Sequence, residues 1–377
     1  MALWDELVGQ DDAIGVVEVA AAAGDTGGMT HSWLITGPPG SGRSNLAFAL
    51  AAALLGGDEA TERQVAARTH PDLAVLSTDR VIISIDEVRQ LVAASQYSPS
   101  VARYRVMIIE DADRMAERTS NVLLKALEEP PPRTVWILCA PSEADLIPTI
   151  RSRVRTVRLR VPSVDEVASL LERRDGVDAA TATRAAREAQ SHIGMAHRLA
   201  TNADARDRRE RTLTVALGLR SVSDAVVASA TLLDLAKADA EAITEEREAA
   251  ERDAALRSLG IEPGGTIPPA LRAQLKALDE DQKRRATRSL RDGIDRIMVD
   301  LLSLYRDILL LQLGVPTDPI NLSILSSLQS AAASATATET LQTMDAITIA
   351  RRRIEANVAP ALALEAMLVT AVRRAPR

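Results

Sequence analysis

A glycine-rich segment between two apolar runs constrains the fold more than any other part of the chain. Residues 33–36 are apolar, an alanine- and leucine-rich stretch covers residues 45–55, and between them stand Gly37, Pro38, Pro39, Gly40, Ser41, Gly42, Arg43 and Ser44. This order matches a phosphate-binding loop at every position except the lysine, which is replaced by Arg43. In such a loop the glycines let backbone N–H groups surround a phosphate at a helix N-terminus.

The substitution of arginine for lysine changes the expected activity. A planar guanidinium is bulkier than an ammonium and does not replace a point donor between two phosphates. We therefore expect the eight residues of the loop to bind ATP or ADP, with Mg²⁺ at Ser44, and we expect hydrolysis to be impaired. The alternative is a glycine- and proline-rich turn that binds no ligand.

Composition excludes several classes of protein. Of the 377 residues, 46% are hydrophobic but only 2% are aromatic, which favours closely packed helices. The single cysteine, Cys139, can form neither a disulfide within the chain nor a cysteine zinc site. The net charge of −7 does not attract nucleic acid, so DNA contact would need a local basic patch. The sequence has no basic leader followed by a long apolar run, so we expect a cytoplasmic protein with no membrane partner.

Apolar runs alternate with helical stretches over the first 160 residues. The runs cover residues 33–36, 73–76, 106–109, 135–140 and 157–159. Alternation of this kind predicts an α/β module, with a parallel sheet covered by helices and ligand sites at the carboxyl ends of the strands.

A second motif stands at the end of the third predicted strand. The apolar residues 106–109 lead into Glu110, Asp111, Ala112 and Asp113. An apolar strand that ends in acids is typical of the segment that organises Mg²⁺ in phosphate-binding-loop proteins. A catalytic base must reach the attacking water, and Asp111 is one methylene shorter than the glutamate expected of such a base. Alternatively, the acids only cap a helix N-terminus.

Four further segments carry a family resemblance. They are Asn121-Val122-Leu123-Leu124-Lys125-Ala126-Leu127-Glu128-Glu129-Pro130-Pro131-Pro132, Ile150-Arg151-Ser152-Arg153, Leu7-Val8-Gly9-Gln10-Asp11 and His70-Pro71-Asp72. In this order they resemble the AAA+ subunits of bacterial clamp loaders of DNA polymerase III. The resemblance implies an AAA+ module over 1–160, a small helical lid over 161–205 and an all-helical collar over 206–377. It implies as partners gamma/tau-type motors and delta in a hetero-pentamer, a sliding clamp, and primer–template DNA through the complex.

Departures from the family pattern bear on the activity. Family members usually carry a four-cysteine zinc module, but residues 56–69 contain no cysteine, so no zinc is expected. The altered positions are Arg43, Asp111, Ala140-Pro141 and Gly194. Motor subunits place a polar residue, the first sensor, at Ala140-Pro141, and an arginine, the second sensor, at Gly194. Together these alterations imply a non-motor stator of the delta-prime type without its own ATPase activity. The alternatives are a gamma/tau-like motor that uses Ser44, Glu110 and Asp111, and a stand-alone DNA-binding or chaperone-like AAA+ protein.

Arg153 is the catalytic residue that the resemblance implies. In the family this arginine reaches the ATP site of the neighbouring subunit and stabilises charge on the γ-phosphoryl group. Five arginines and no acid occur in residues 151–160, so a DNA-contacting patch and a solvated sheet edge remain as alternatives.

The rest of the chain is read as helical. Pro162 and Ser163 mark the start of the lid, with a helix predicted over 164–173. Long helices are predicted over 232–259 and 272–313, separated by a glycine- and proline-rich break at 260–269. The basic triplets 283–285 and 351–353 are read as solvated faces, with DNA contact as the alternative.

Overall fold

The computed structural model describes residues 4, 7–22, 30–78, 82–258 and 272–372, and for residues 243, 245–258 and 272–288 it describes the backbone alone. The chain divides into two compact units, Met1–Thr201 and Asn202–Arg377. The predicted break at 260–269 lies outside the described residues.

A five-stranded parallel sheet forms the centre of the first unit. The strands are β1 (Ser32–Thr36), β2 (Leu73–Leu76), β3 (Arg105–Ile109), β4 (Thr134–Ala140) and β5 (Arg155–Arg158), in the spatial order β2-β3-β4-β1-β5. The predicted α/β class is confirmed. Because all strands are parallel, β1, β3 and β4 end at one edge of the sheet, where ligand sites are expected.

Both faces of the sheet are covered. Side chains alternate along each strand, so Ile35 and Ile137 join one hydrophobic cluster while Leu34 and Leu138 join another on the opposite face. The helices of this unit are α1 (Asp11–Ala22), α2 (Arg43–Leu55), α3 (Glu59–Ala66), α4 (Ile85–Ser95), α5 (Glu117–Glu128), α6 (Pro148–Arg151), α7 (Val164–Asp175), α8 (Ala179–Glu188) and α9 (Ile193–Thr201). The first cluster includes residues of α1 and α2, and the second includes residues of α4 and α5.

Three predicted boundaries in this unit were wrong by two residues. The last strand is Arg155–Arg158 rather than 157–159, because an edge strand is covered on one side only and carries exposed arginines. Helix α2 begins at Arg43 rather than at residue 45, directly after the left-handed Gly42. Helix α7 continues to Asp175, where the left-handed Gly176 ends it.

In the described part of the second unit, the regular secondary structure is all helix, with no strand. Its helices are α10 (Ala203–Leu217), α11 (Val222–Ser258), α12 (Arg272–Gln312), α13 (Leu325–Ala333), α14 (Ala337–Glu355) and α15 (Pro360–Ala371). Helix α11 begins ten residues before the predicted position 232, and α12 ends one residue before the predicted 313. A core that includes Leu232, Leu301, Ile347 and Leu364 joins these helices.

A buried polar network pins the loop after α12 to this core. Asp307 is fully buried and accepts hydrogen bonds from the backbone N–H groups of Ile320 and Asn321 at 3.0 and 2.8 Å. The Arg209 guanidinium donates to Asp300 and Asn321 at 3.0 and 2.6 Å. These bonds satisfy charges that would otherwise be costly to bury.

The basic triplet at 351–353 is partly committed to this fold. Arg351 of α14 donates from Nε and Nη2 to the two carboxylate oxygens of Asp295, at 2.6 and 3.0 Å. A bidentate pair of this kind joins α14 to α12. The side chains of the triplet at 283–285 lie outside the described part.

Among the described residues, no helix is long and apolar enough to cross a membrane.

Candidate functional site

The loop Gly37–Ser44 lies at the carboxyl end of β1. Two of its glycines are left-handed, Gly40 with φ +79° and Gly42 with φ +94°. A side chain at either position would strain the backbone. The loop is tied down at three points, because Gly37 N–H donates to the Pro141 carbonyl, Ser41 N–H to the Pro38 carbonyl and Ile193 N–H to the Gly40 carbonyl.

Buried polar atoms in the loop suit a phosphate ligand. The Ser41 hydroxyl and Arg43 Nη1 are buried and make no hydrogen bond to any described part of the chain. An anion satisfies donors at a helix N-terminus that have no partner in the protein. The loop Gly37–Ser44, called the cradle below, therefore fits the phosphates of a nucleotide. Arg43 keeps the positive charge of the missing lysine.

A cleft lies beside the segment Leu7-Val8-Gly9-Gln10-Asp11, called the N-terminal box below. Gln10 fixes the box to the chain after β5, because its Nε2 donates to the Arg160 carbonyl at 2.9 Å and its Oε1 accepts from Arg160 N–H at 3.1 Å. The cleft has a volume of about 190 Å³ and is lined by Gly9, Gln10, Asp11, Asp12, Ala13, Arg158 and Arg160.

The acid segment follows β3, as predicted, but Glu110 and Asp111 are engaged by arginines. Glu110 accepts from Nη2 of Arg68 at 2.9 Å, and its side chain is 12% exposed. Asp111 has φ +52° and lies 3.5 Å from Nε of Arg114. These ion pairs partly offset the negative charge that would attract a Mg²⁺ ion.

Asp113 and Cys139 lie within the field of the same acids. Burial, and then the charge of Asp111, raise the pKa of Asp113, while Arg43 opposes the shift. Burial, and then Glu110, likewise raise the pKa of the Cys139 thiol, with Arg43 again opposing. The positive charge of Arg43 therefore acts on Asp113 and Cys139 as well as within the cradle.

Both predicted sensor positions lie against the loop. The first is occupied by the backbone of Pro141, and Ser142 is unavailable because its hydroxyl accepts from Ala144 N–H in a capping box with Asp145. The second, Gly194, stands in the first turn of α9, next to the Ile193 N–H that donates to the loop. Neither position presents a polar side chain to the cradle.

The structure adds two residues that sequence reasoning missed. His192 packs on Gly40, where an added Cβ would meet its Cγ at 2.3 Å, and its Nδ1 accepts from Met195 N–H. Arg68 comes from the linker before β2 and pairs with Glu110. No motif marks Arg68, whereas the proximity of His192 to Gly194 in the sequence was a usable signal.

Arg153 is not brought to the loop of its own chain. Its Nε donates to Glu128 Oε1 at 2.6 Å, and Nη1 donates to the Thr149 carbonyl at 2.7 Å and to the Ser152 hydroxyl at 3.1 Å. The side chain is 32% exposed. It stands at the end of α6, where the last turn of α5 supplies the carboxylate.

The other arginines of this segment are largely engaged within the chain. Arg158 pairs with Glu143 and Arg160 with Glu166, both at 2.9 Å. Arg155 lies over the ring of Trp33, 5.0 Å from its centroid. Arg151 is exposed.

Sheet order, glycine loop and acid segment together define a phosphate-binding-loop protein of the AAA+ class. Residues 15–163 match the family described as "DNA polymerase III, delta subunit". This match lies within the first unit and supports a relationship of that unit to the DNA polymerase III clamp-loader family.

Curated relatives include two types of clamp-loader subunit. The gamma/tau subunit of Mycobacterium tuberculosis H37Rv is 29% identical over 182 residues, which are 46% of this chain and 31% of the relative. The delta' subunit of Pseudomonas aeruginosa is 36% identical over 134 residues, which are 33% of this chain and 41% of the relative. The chain thus matches less than half the length of either relative.

Solved structures resemble the chain only in outline. A gamma subunit-related protein of DNA polymerase III from Thermotoga maritima covers 95% of this chain and 98% of its own, with a TM-score of 0.43 and 18% identity. The RuvB Holliday junction branch migration motor of the same organism has a TM-score of 0.40 and 20% identity, over 68% of this chain and 84% of its own.

Proposed function

We propose that this chain is a non-motor, delta-prime-type subunit of the DNA polymerase III clamp loader. In this role it contributes a ring position and an arginine while other subunits hydrolyse ATP. The observation that carries the proposal is the ion pair between Glu110 and Arg68, 2.9 Å apart, because it occupies the acid that would organise Mg²⁺.

Three further features of the site support a non-motor role. Asp111 faces Arg114, so the residue in the position of the catalytic base is also paired with a cation. Neither Pro141 nor Gly194 supplies a polar sensor, and Arg43 replaces the lysine. Catalytic groups that act as a unit lose most of their effect when one is missing, and here several are altered together.

Arg153 is the residue proposed to act in trans. A buried carboxylate would largely offset its charge, but Glu128 is 45% exposed, so water screens the pair and Glu128 orients the guanidinium without cancelling its charge.

The proposed assembly is a hetero-pentamer with gamma/tau-type motors and delta, which opens a sliding clamp and delivers it to primer–template DNA. The second unit is the proposed collar that holds the ring together. The exposed apolar residues Leu341, Ile349 and Leu362 of α14 and α15 support this, because contact with other subunits would bury them.

ATP turnover by the purified chain tests the proposal. The chain alone is expected to show none with Mg²⁺ and primed DNA, whereas a complex reconstituted with gamma/tau and delta is expected to hydrolyse ATP and load clamps only when the chain is included. The motor alternative, favoured by the intact glycine cradle and the gamma/tau relatives, predicts turnover by the chain alone that Glu110→Gln abolishes.

A further inference from the structure

Arg68 pairs with the first acid after β3. It follows α3 in a left-handed conformation, with φ +56°, and its N–H donates to the Val65 carbonyl. From there its side chain reaches Glu110, 42 residues away in the sequence. A non-glycine residue in this conformation carries a small backbone penalty, which the ion pair offsets.

The guanidinium of Arg68 makes a second contact, with a side chain of helix α2. Its Cζ lies 5.2 Å from the centroid of the Phe48 ring. Phe48 is four residues after Ser44 on α2, so the two side chains share one face of that helix. Arg68 therefore bridges from the acid after β3 to the helix face that carries the Ser44 hydroxyl.

Glu110 and Ser44 are the two groups that would hold Mg²⁺ in a loop of this kind. A Mg²⁺ ion bound there would have to displace the guanidinium from a carboxylate that is only 12% exposed, or bind beside it against like-charge repulsion. The donor set therefore does not fit the metal that the fold implies. It does fit a phosphate group, because the Arg68 side chain is 46% exposed and a guanidinium has more N–H donors than its one hydrogen bond to Glu110 uses.

We propose that Arg68 takes the place of Mg²⁺, so that this cradle binds a nucleoside diphosphate or triphosphate without a divalent cation. The inference rests on the proposed nucleotide binding and adds to it the identity of the positive charge. It also gives a reason for the expected absence of turnover, because a singly charged guanidinium neutralises less of the charge that develops on the β- and γ-phosphate oxygens than a bridging divalent ion does.

The test variant has to remove the charge without straining the backbone. Arg68→Asn does so, because asparagine tolerates the left-handed region better than other non-glycine residues. Arg63→Ala is the matched control, since Arg63 is an exposed arginine of α3 whose Nε donates to the Glu59 carbonyl of its own helix. Thermal unfolding of each variant checks that its fold is retained.

The experiment is an equilibrium titration of the full chain with a fluorescent ADP analogue, in excess Mg²⁺ and in EDTA. For the unmodified chain and Arg63→Ala, we expect the two dissociation constants to agree within about twofold, whereas Arg68→Asn should bind about tenfold more weakly in EDTA and recover with Mg²⁺.

Two results would overturn the inference. One is a dissociation constant of the unmodified chain that rises about tenfold in EDTA, and the other is Arg68→Asn behaving like the control. Absence of ADP binding in both buffers would also refute it. The stator proposal would survive all three results, because it is tested by turnover and clamp loading of the complex.

Discussion

The Arg153 guanidinium is held by Glu128 of its own chain, with 2.6 Å between Nε and Oε1. Glu128 belongs to the Leu127-Glu128-Glu129-Pro130 segment, and Arg153 to the Ser152-Arg153 segment that follows β4. The structure thereby joins two motifs that are separated by 25 residues in the sequence. This contact gives the proposed trans-acting arginine a defined starting position.

Arg153→Ala is expected to leave the chain folded and the complex assembled, because the side chain is partly exposed and water screens its ion pair with Glu128. Clamp-stimulated ATP hydrolysis should fall only at the one site that this subunit completes, where a finger is worth about 10³–10⁵ in rate. Total turnover of the complex should therefore fall partly, and clamp loading should fall further. Steady-state hydrolysis and a clamp-loading assay measure the two effects.

Arg153→Lys should rescue little, because an ammonium lacks the forked donors that span phosphoryl oxygens. Arg151→Ala, at an exposed arginine two residues away, is the matched control and should remain active. Equal losses in the alanine variants at positions 151, 153 and 155, easing at low salt, would instead indicate a DNA-contacting patch.

Glu128→Ala is expected to lower the turnover at that same site by several-fold, less than Arg153→Ala does. The reason is that the Thr149 carbonyl and the Ser152 hydroxyl still hold Nη1, so the guanidinium is only partly released. Single-turnover hydrolysis by the reconstituted complex is the measurement. A rise in turnover would mean that Glu128 restrains the arginine rather than orienting it.

Arg43→Lys should restore no steady-state ATPase activity to the isolated chain. The lysine would return to the cradle, but Glu110 would still face Arg68 and Asp111 would still face Arg114. A phosphate-release assay with Mg²⁺ tests this. Robust turnover by the single variant would show that the loop alone limits the activity, contrary to the stator proposal.

Asp72 anchors the loop before β3, and its loss should destabilise the first unit. Its buried carboxylate accepts hydrogen bonds from the N–H groups of Ser100, Val101 and Ala102 and from the Ser100 hydroxyl, at 2.6–2.9 Å. Asp72→Asn leaves some of these buried donors without an acceptor, so we expect the free energy of unfolding to fall by about 2–4 kcal/mol. Urea unfolding followed by tryptophan fluorescence reports on this unit, which holds Trp4, Trp33 and Trp136.

The carboxylate of Asp72 makes the free energy of unfolding of the first unit depend on pH. Burial favours a higher pKa for Asp72, but the hydrogen bonds from residues 100–102 outweigh it and lower the pKa from 3.8 to about 2. Its contribution to stability is therefore present above pH 3.8 and is lost as the pH falls through about 2. Asp86→Asn, at an exposed acid of α4, is the control and should change the unfolding free energy by less than about 0.5 kcal/mol at any pH.

The purified chain is expected to contain no stoichiometric zinc. Cys139 is its sole thiol, and burial raises the pKa of that thiol, so a thiolate ligand is unavailable. Within the described residues, no group of three or more His, Cys, Asp or Glu side chains is arranged to bind a metal. Elemental analysis showing one zinc per chain would contradict this prediction.

Local features of the site followed from the sequence. The loop Gly37–Ser44 and the acids after β3 were located correctly, because each depends on a short apolar strand and on the conformations that neighbouring residues allow. The helix start at Ser163 was likewise predictable, since a capping box with Glu166 involves residues three apart.

The partners of the charged side chains were decided by the tertiary structure. Arg68 with Glu110, Asp72 with residues 100–102, His192 with Gly40 and Arg153 with Glu128 join positions that no local pattern connects. A charged or polar side chain leaves no periodic signal in the sequence that would identify its partner. Its contacts depend on which strands become neighbours and which loops meet at their ends, so the sequence determined the elements of the cradle while the packing of the sheet and helices decided which charges occupy it.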